Sequence, residues 1–212
     1  MLPSLVAIAF FLVLLNLGGA ALTQLYLVAA EPRRAFCVSG GAGAAPTLPK
    51  PIRFSAQSPC TDLHVDVTKG EYYEIRLRTS DDWADARYKA DLVDGADLPL
   101  YADSAFLYRR VIGAPWMKPL IEIRNPHRTG WLPGLQKWAL GAHTNVKALH
   151  FCQGRGNIWG ARFKAAQSGR LHIMLNDAAL PFAPGAFYGN NKGSAVGWIV
   201  HAPERRLRCR EP

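Results

Sequence analysis

Alternation of apolar and polar residues in short runs is the feature that most constrains the fold of this chain. The first two runs, residues 63–68 and 73–78, place apolar side chains at every second position. This period of two is typical of strands that bury one face. The alternation returns in residues 121–124, 161–165, 171–176 and 195–200. We therefore expect a mainly β chain in which each run forms a strand.

Glycine and proline separate nearly all these runs, while helical spacing is weak outside a turn or two around Asp81 to Leu92. Many short strands joined by long links are typical of an antiparallel β-sandwich, often a jelly roll. The sequence predicts this fold after one N-terminal transmembrane helix.

The transmembrane prediction rests on Leu5 to Ala30, which contains no charged residue. Such a length can span a bilayer, which needs about 20 mainly apolar residues. The small residues at Val28 to Ala30 would also suit signal-peptidase cleavage, but Met1 to Ser4 lacks the basic residues of a secretory signal. A retained anchor is the preferred prediction, and a cleaved signal is the alternative.

Composition divides the chain into four predicted segments. Residues 1–31 form the anchor or uncleaved signal, and residues 32–56, rich in glycine and proline, form a linker. Residues 57–202 form the sandwich. Residues 203–212 form a basic tail, which either lies against lipid phosphates or is solvated.

The cysteines Cys37, Cys60, Cys152 and Cys209 are widely spaced and form no Cys-x-x-Cys pair. Two disulfides in an exported domain are the simpler interpretation, with three possible connectivities. Buried free thiols in a cytoplasmic protein are the alternative.

The formal net charge of +9 indicates an anionic partner. We expect membrane lipid and no nucleic acid, because an exported domain seldom meets nucleic acid and no basic helix is present. Arg33 and Arg34 favour a cytoplasmic end there, yet long domains are translocated despite local charge. The predicted location is the bacterial inner membrane, single-pass, with the C-terminal domain in the periplasm.

Enzyme signatures are missing from the sequence, which has no Gly-x-Ser-x-Gly elbow, Walker loop or His-Glu-x-x-His zinc helix. The six histidines are scattered, and His64 and His172 fall on polar faces of predicted strands, which favours surface positions. The chain is predicted not to be an enzyme.

One strand-turn-strand motif carries candidate chemistry. The run from Gly169 ends in Asn176-Asp177, a link follows, and Tyr188-Gly-Asn-Asn-Lys-Gly-Ser leads into the last strand. This order can bring the Asp177 carboxylate to the amide oxygens of Asn190 and Asn191, which are hard donors of the kind calcium prefers. The alternative is that these residues only form turns.

On this motif the chain resembles the bacterial calcium-dependent galactose lectins of the PA-I type, within the galactose-binding-like jelly rolls. A weaker similarity covers Gly70 to Trp83. Calcium in that family contacts sugar hydroxyls directly.

The resemblance implies specific roles at matching positions. Asp177, Asn190 and Asn191 would be side-chain calcium ligands, and Phe187 would give a backbone carbonyl. A second carbonyl would come from the loop near Trp83 to Arg87. Asp177 and Asn190 would also be carbohydrate-binding.

The predicted function is a membrane-anchored extracytoplasmic binding module, lectin-like and calcium-dependent, with a glycan as ligand. The alternative is a non-catalytic accessory subunit of an inner-membrane complex, such as a respiratory or photosynthetic one, whose sandwich covers the periplasmic face. Gly18 to Ala21, which permit close helix packing against other integral-membrane subunits, favour that alternative. An exported hydrolase is a third hypothesis, for which no nucleophile with a base can be named.

Overall fold

The computed structural model describes residues 2–30, 37–39, 48–99, 108–124, 146–153, 158–178 and 186–202. Helix α1 (Leu2–Ala30) comes first. The strands follow as β1 (Val38–Ser39), β2 (Lys50–Ser55), β3 (Thr61–Val67), β4 (Tyr72–Thr79), β5 (Ala84–Asp85), β6 (Tyr88–Asp91), β7 (Gly95–Ala96), β8 (Pro119–Arg124), β9 (Val146–Ala148), β10 (Phe151–Gln153), β11 (Trp159–Lys164), β12 (Gly169–Leu175), β13 (Asn191–Lys192) and β14 (Ser194–His201). The basic tail, Cys209 and most of the link after Asp177 lie outside the described residues.

Two five-stranded sheets carry the fold. The first sheet has the order β1-β3-β12-β8-β9 and the second has the order β10-β11-β4-β14-β2. Their strands pair antiparallel, except that β1 runs parallel to β3. One apolar core takes Val65 and Leu171 from the first sheet and Ile75 and Phe163 from the second. The prediction of a mainly β chain with antiparallel sheets is confirmed, and the shared core is consistent with a β-sandwich.

A third, small sheet has the order β13-β5-β6-β7. Its strands β5 and β6 lie in the segment Asp81 to Leu92, where the sequence favoured a turn or two of helix. That expectation is wrong, because β5 pairs with β13 on one side and β6 on the other, so the backbone of this segment bonds in ladders.

Both faces of the central strands β8 and β12 are buried, although the sequence predicted one polar face for each. Residues Ala114 and Cys60 cover the outer face and pack with Leu120 and Met174. His172 is therefore buried, so its predicted surface position is wrong. Burial lowers its pKa, and neighbouring Arg124 adds to that effect.

Strand β14 buries one of its two alternating sets of side chains. Ala195 and Ile199 are fully buried, while Val196 on the opposite face is exposed. Gly197 is needed because a Cβ there would lie 1.8 Å from the carbonyl oxygen of Arg76. The last strand therefore approaches β4 more closely than any side chain would allow.

The segment assigned to the linker contributes to the sandwich. Strand β2 pairs with β14, and its Ile52 and Phe54 are buried in the core. A disulfide joins Cys37 to Cys60, and Cys152 is also disulfide-bonded. The expectation of disulfides is confirmed, and the ordered sandwich includes residues 50–55.

Helix α1 runs for 29 residues and contacts Tyr108, which packs against the apolar core. Ala20 and Thr23 are buried, and the Tyr108 hydroxyl donates to the carbonyl of Asn16 at 3.1 Å. Large apolar side chains elsewhere on the helix, Phe10 and Phe11 among them, are exposed. Within the part of the chain that the structure describes, no helix qualifies as long and apolar enough to cross a membrane. The transmembrane anchor stays a prediction.

Candidate functional site

The candidate site lies where the first sheet meets the small sheet. Asp177 follows the end of β12, Asn191 begins β13, and Asp85 ends β5 directly opposite Asn191 in the ladder. The Asn191 side-chain amide donates to Asp177 Oδ2 at 2.8 Å. The side-chain amide of the neighbouring Asn190 donates to Asp85 Oδ1 at 3.1 Å. The structure thus brings three predicted ligands together with one carboxylate that the sequence did not single out.

Asp177 is almost completely buried, and its carboxylate accepts hydrogen bonds from two neutral donors. Oδ1 accepts the backbone N–H of Ala178 at 2.6 Å, and Oδ2 accepts the Asn191 amide. Burial raises the pKa of Asp177 to about 6, against the hydrogen bond from Asn191, and the charge of nearby Asp85 raises it further. Ala178 N–H and the Arg110 guanidinium act in the opposite direction but do not restore the ordinary value. The positive charge near the Asp177 carboxylate is too small to offset the effect of burial on its pKa.

Asp85 is the second carboxylate of the site, and it too is buried. Burial raises its pKa, and the hydrogen bond from Asn190 only partly offsets the increase. The sequence placed Asp85 within the loop from Trp83 to Arg87 but expected only a carbonyl ligand there. One signal was its position two residues after Trp83, where the segment of weaker similarity ends.

Asn191 is fully buried and has one unsatisfied atom. Its amide nitrogen donates to the carbonyl of Ala56 at 3.1 Å and to Asp177, while Oδ1 is buried without a hydrogen-bond partner. A buried oxygen without a donor costs about 1–3 kcal/mol. A cation beside the carboxylates would give this oxygen a partner.

Asn190 and Phe187 lie at the exposed edge of the site. A short 3-10 helix, Tyr188–Asn190, joins them. The Phe187 carbonyl accepts the backbone N–H of Asn190 at 3.4 Å, which is long for a hydrogen bond. This carbonyl therefore keeps capacity for a further partner.

Tyr188 fixes the turn from below, a role that the sequence did not predict. Its side chain is fully buried, and its hydroxyl donates to the carbonyl of Leu175 at 2.8 Å. The same hydroxyl accepts a hydrogen bond from Arg110 Nε at 2.8 Å. The hydrogen bond to Leu175 connects the turn that carries Asn190 and Asn191 to the end of β12, two residues before Asp177.

Asn176, the other half of the Asn-Asp pair, holds the polypeptide rather than a ligand. Its Oδ1 accepts the N–H of Val111 at 2.8 Å. Its amide nitrogen donates to the carbonyls of Val111, Ala114 and Pro115 at 2.7–3.0 Å. The side chain is fully occupied in fastening residues 111–115 over the first sheet.

The donor set of the site suits a hard cation. In the described residues, no three His, Cys, Asp or Glu side chains cluster closely enough to hold a metal. Here two carboxylates, Asp85 and Asp177, are accompanied by amide and carbonyl oxygens instead. Calcium takes six to eight oxygens of these kinds, so the residues fit calcium with further ligands from backbone, water or a bound molecule.

Comparison of the chain with protein-family models, with curated proteins and with solved structures finds no match. Function must therefore be argued from the geometry and charge of the site.

Proposed function

We propose that the chain is a membrane-anchored, extracytoplasmic lectin-like module that binds carbohydrate through a calcium ion. The observation that carries the proposal is the buried pair Asp85 and Asp177 beside the unpaired Oδ1 of Asn191. Burial raises the pKa of both carboxylates, and the charge of Asp85 raises that of Asp177 further, so a cation beside them would be favourable.

The site residues divide into those that hold the ion and those that reach solvent. Asp85, Asp177 and Asn191 are buried, so they would hold calcium from the protein side. Asn190 is exposed and would contact both the ion and a sugar hydroxyl. The carbonyl of Phe187, which is also exposed, would bind the ion. Calcium would polarise the sugar hydroxyls that complete its ligand shell.

The finer architecture and location belong to the same proposal. The sandwich is a jelly roll of the galactose-binding-like kind, which the strand-turn-strand resemblance supports. Helix α1 is the anchor, supported by its uncharged sequence and its exposed apolar side chains. The disulfide between Cys37 and Cys60 supports an oxidising compartment, the periplasm.

Titration calorimetry of the full chain in mild detergent tests the binding proposal. Calcium is added first, and a panel of neutral glycans follows with and without calcium. We expect calcium-dependent heat for at least one glycan in the wild type and in Asp81→Asn, an exposed control, but none in Asp177→Asn. Binding of sugar in the presence of chelator, or no calcium heat in the wild type, would overturn the proposal.

The exposed apolar side chains of α1 also favour a second candidate, an accessory subunit held by other membrane spans. Purification in gentle detergent separates the two. A companion protein in stoichiometric amount supports the accessory role. A chain that purifies alone and stays in the membrane fraction after alkaline carbonate extraction supports a self-sufficient anchor.

A further inference from the structure

The outer face of the second sheet is strongly cationic. Side chains on this face alternate with the buried residues Ile52, Ile75 and Phe163 of the same strands. The cations are Arg53 on β2, Arg76 and Arg78 on β4, and Arg162 and Lys164 on β11. These strands flank β14 on both sides, so the charge spreads over four adjacent strands, about 14 Å across at the usual spacing.

Glu74 is the acidic residue within this face, and two of the arginines already neutralise it. Arg76 Nε and Arg162 Nη2 donate to its two carboxylate oxygens, the latter at 2.9 Å. Burial alone would raise the pKa of Glu74, but these hydrogen bonds and charges hold it below its ordinary value. The carboxylate fixes both guanidinium groups in place and leaves the face with an excess of positive charge.

An apolar row crosses the middle of the cations. Val196, Trp198 and Val200 of β14 face outward, and Val196 is exposed. Trp198 lies opposite Arg76 in the ladder, and Val196 lies between Arg78 and Arg53. Cross-strand neighbours on one face are about 5 Å apart, so Val196 and Trp198 each have a guanidinium beside them, while Val200 lies opposite Glu74.

We propose that this face docks on an anionic lipid surface. Guanidinium groups pair with lipid phosphates, and the tryptophan side chain suits the headgroup region of a bilayer. Because the cations cover a two-dimensional face and do not follow one line, they match a surface better than a single polyanionic chain. The proposal goes beyond the calcium site and needs neither calcium nor sugar.

The first sheet offers no equivalent face among the described residues. Its outer side carries Asp62, Asp66 and Glu122 along with its arginines, which form ion pairs with them. Ala114 and Cys60 cover another part of it. The asymmetry predicts that one side of the sandwich turns toward the membrane.

The test uses the full chain with Val196→Cys as the attachment point for the environment-sensitive fluorophore NBD. The described cysteines Cys37, Cys60 and Cys152 are disulfide-bonded and would not take the label. The labelled chain is placed in nanodiscs of phosphatidylcholine alone or mixed with phosphatidylglycerol. Lys147→Cys, on β9 of the first sheet, is the matched control label.

We expect the emission of the label at position 196 to shift to the blue in the anionic discs and to stay unshifted in the neutral discs. The shift should disappear at about 1 M salt, where the screening length is about 3 Å. Arg53→Gln with Arg78→Gln should lower the docked-to-undocked ratio roughly 30-fold, because each basic residue near an anionic surface is worth about fivefold. Lys69→Gln with Lys147→Gln removes equal charge from other positions and should leave the ratio nearly unchanged.

Three outcomes would overturn the proposal. The first is equal emission in both lipids, and the second is an equal loss from the two charge-matched double variants. The third is a shift produced by soluble dextran sulfate but not by phosphatidylglycerol, which would assign the face to an acidic polysaccharide. All four substituted side chains are exposed, so each double variant should keep the wild-type unfolding midpoint.

Discussion

Asp177 is in an unfavourable state when its site holds no cation. Folding raises its pKa from 3.8 to about 6, mainly through burial, so the folded chain keeps this proton more tightly than the unfolded chain. Stability without calcium should therefore fall as pH rises from about 4 to about 6 and remain low above that range. The carboxylate is retained at a cost in stability, which suggests a role in binding.

Replacing Asp177 with asparagine should stabilise the calcium-free protein at pH 8. The pKa shift corresponds to about 3 kcal/mol, and the loss of a hydrogen bond subtracts about 1 kcal/mol, which leaves a gain of about 2 kcal/mol. At pH 4 the gain should vanish, because Asp177 is then neutral in the folded state. Urea unfolding in chelator at both pH values measures this difference. Exposed Asp81→Asn should show no gain at either pH, and a destabilised Asp177→Asn at pH 8 would contradict the explanation.

The Asn176→Ala change at the neighbouring position should lower the stability of the protein. It removes the partner of Val111 N–H and of three carbonyls, so we expect a loss of about 3 kcal/mol. Calcium affinity, measured by calorimetry below the unfolding midpoint, should change little because Asn176 is not among the proposed ligands. A tenfold weaker calcium affinity in a variant that is still folded would assign Asn176 to the site.

The sequence predicted the meeting of Asp177 with Asn191 because both stand at strand ends within one local motif. It did not predict Asp85, whose approach depends on a ladder between residues about a hundred positions apart along the chain. It also misplaced His172, because the sequence does not show that Ala114 and Cys60 cover part of that polar face. The local sequence pattern thus predicts site residues that are close together in the chain. Residues that are distant in the chain come together only through strand pairing.

At the scale of elements, the connection between β13 and β14 depends on the single residue Gly193. Its φ is +95°, and a Cβ there would lie 2.8 Å from Ser80 Oγ and 2.9 Å from Trp83 Cα. Gly193→Ala should destabilise the fold by about 2–3 kcal/mol through strain and overlap. The change should also weaken calcium binding, because Asn191 is held by the same strand pair. Gly70→Ala, at φ +89° but with open space around its Cβ, separates backbone strain from steric overlap.

Unfolding of the two glycine variants in urea gives the comparison. Equal losses for Gly193→Ala and Gly70→Ala would show that close packing at Gly193 is unimportant, contrary to the structure.

Strand positions were more predictable than strand faces. Alternation located β3, β4, β11 and β12, yet on β14 both alternating sets are apolar or small, so period two alone could not choose the inward face. Close approach to β4 at Gly197 decided it and left Trp198 and Val196 outside. Strand β2 was hidden by Pro49 and Pro51, which are tolerated because β2 is an edge strand.

At the scale of the whole molecule, the proposed calcium site joins otherwise separate parts of the sandwich. Asp177 extends the first sheet, Asp85 belongs to the small sheet, and Asn191 leads into β14 of the second. Calcium should therefore stabilise all three together, by about 2.7 kcal/mol at one hundred times its dissociation constant. Hydrogen exchange should slow most at β5 and β13, whose ladder is only two residues long.

This stabilisation should depend on pH in the opposite sense to the calcium-free protein. Since the pKa of Asp177 is about 6 without the ion, calcium must displace a proton below that pH, and its effect on the unfolding midpoint should fade toward pH 4. Thermal unfolding at several pH values with calcium, magnesium or chelator measures the effect. Magnesium is the matched control, because it requires near-octahedral geometry and should stabilise much less. Equal stabilisation by both ions, or an undiminished calcium effect in Asp177→Asn, would mean that the ions act on surface charge, and the buried carboxylate pair would then need another partner.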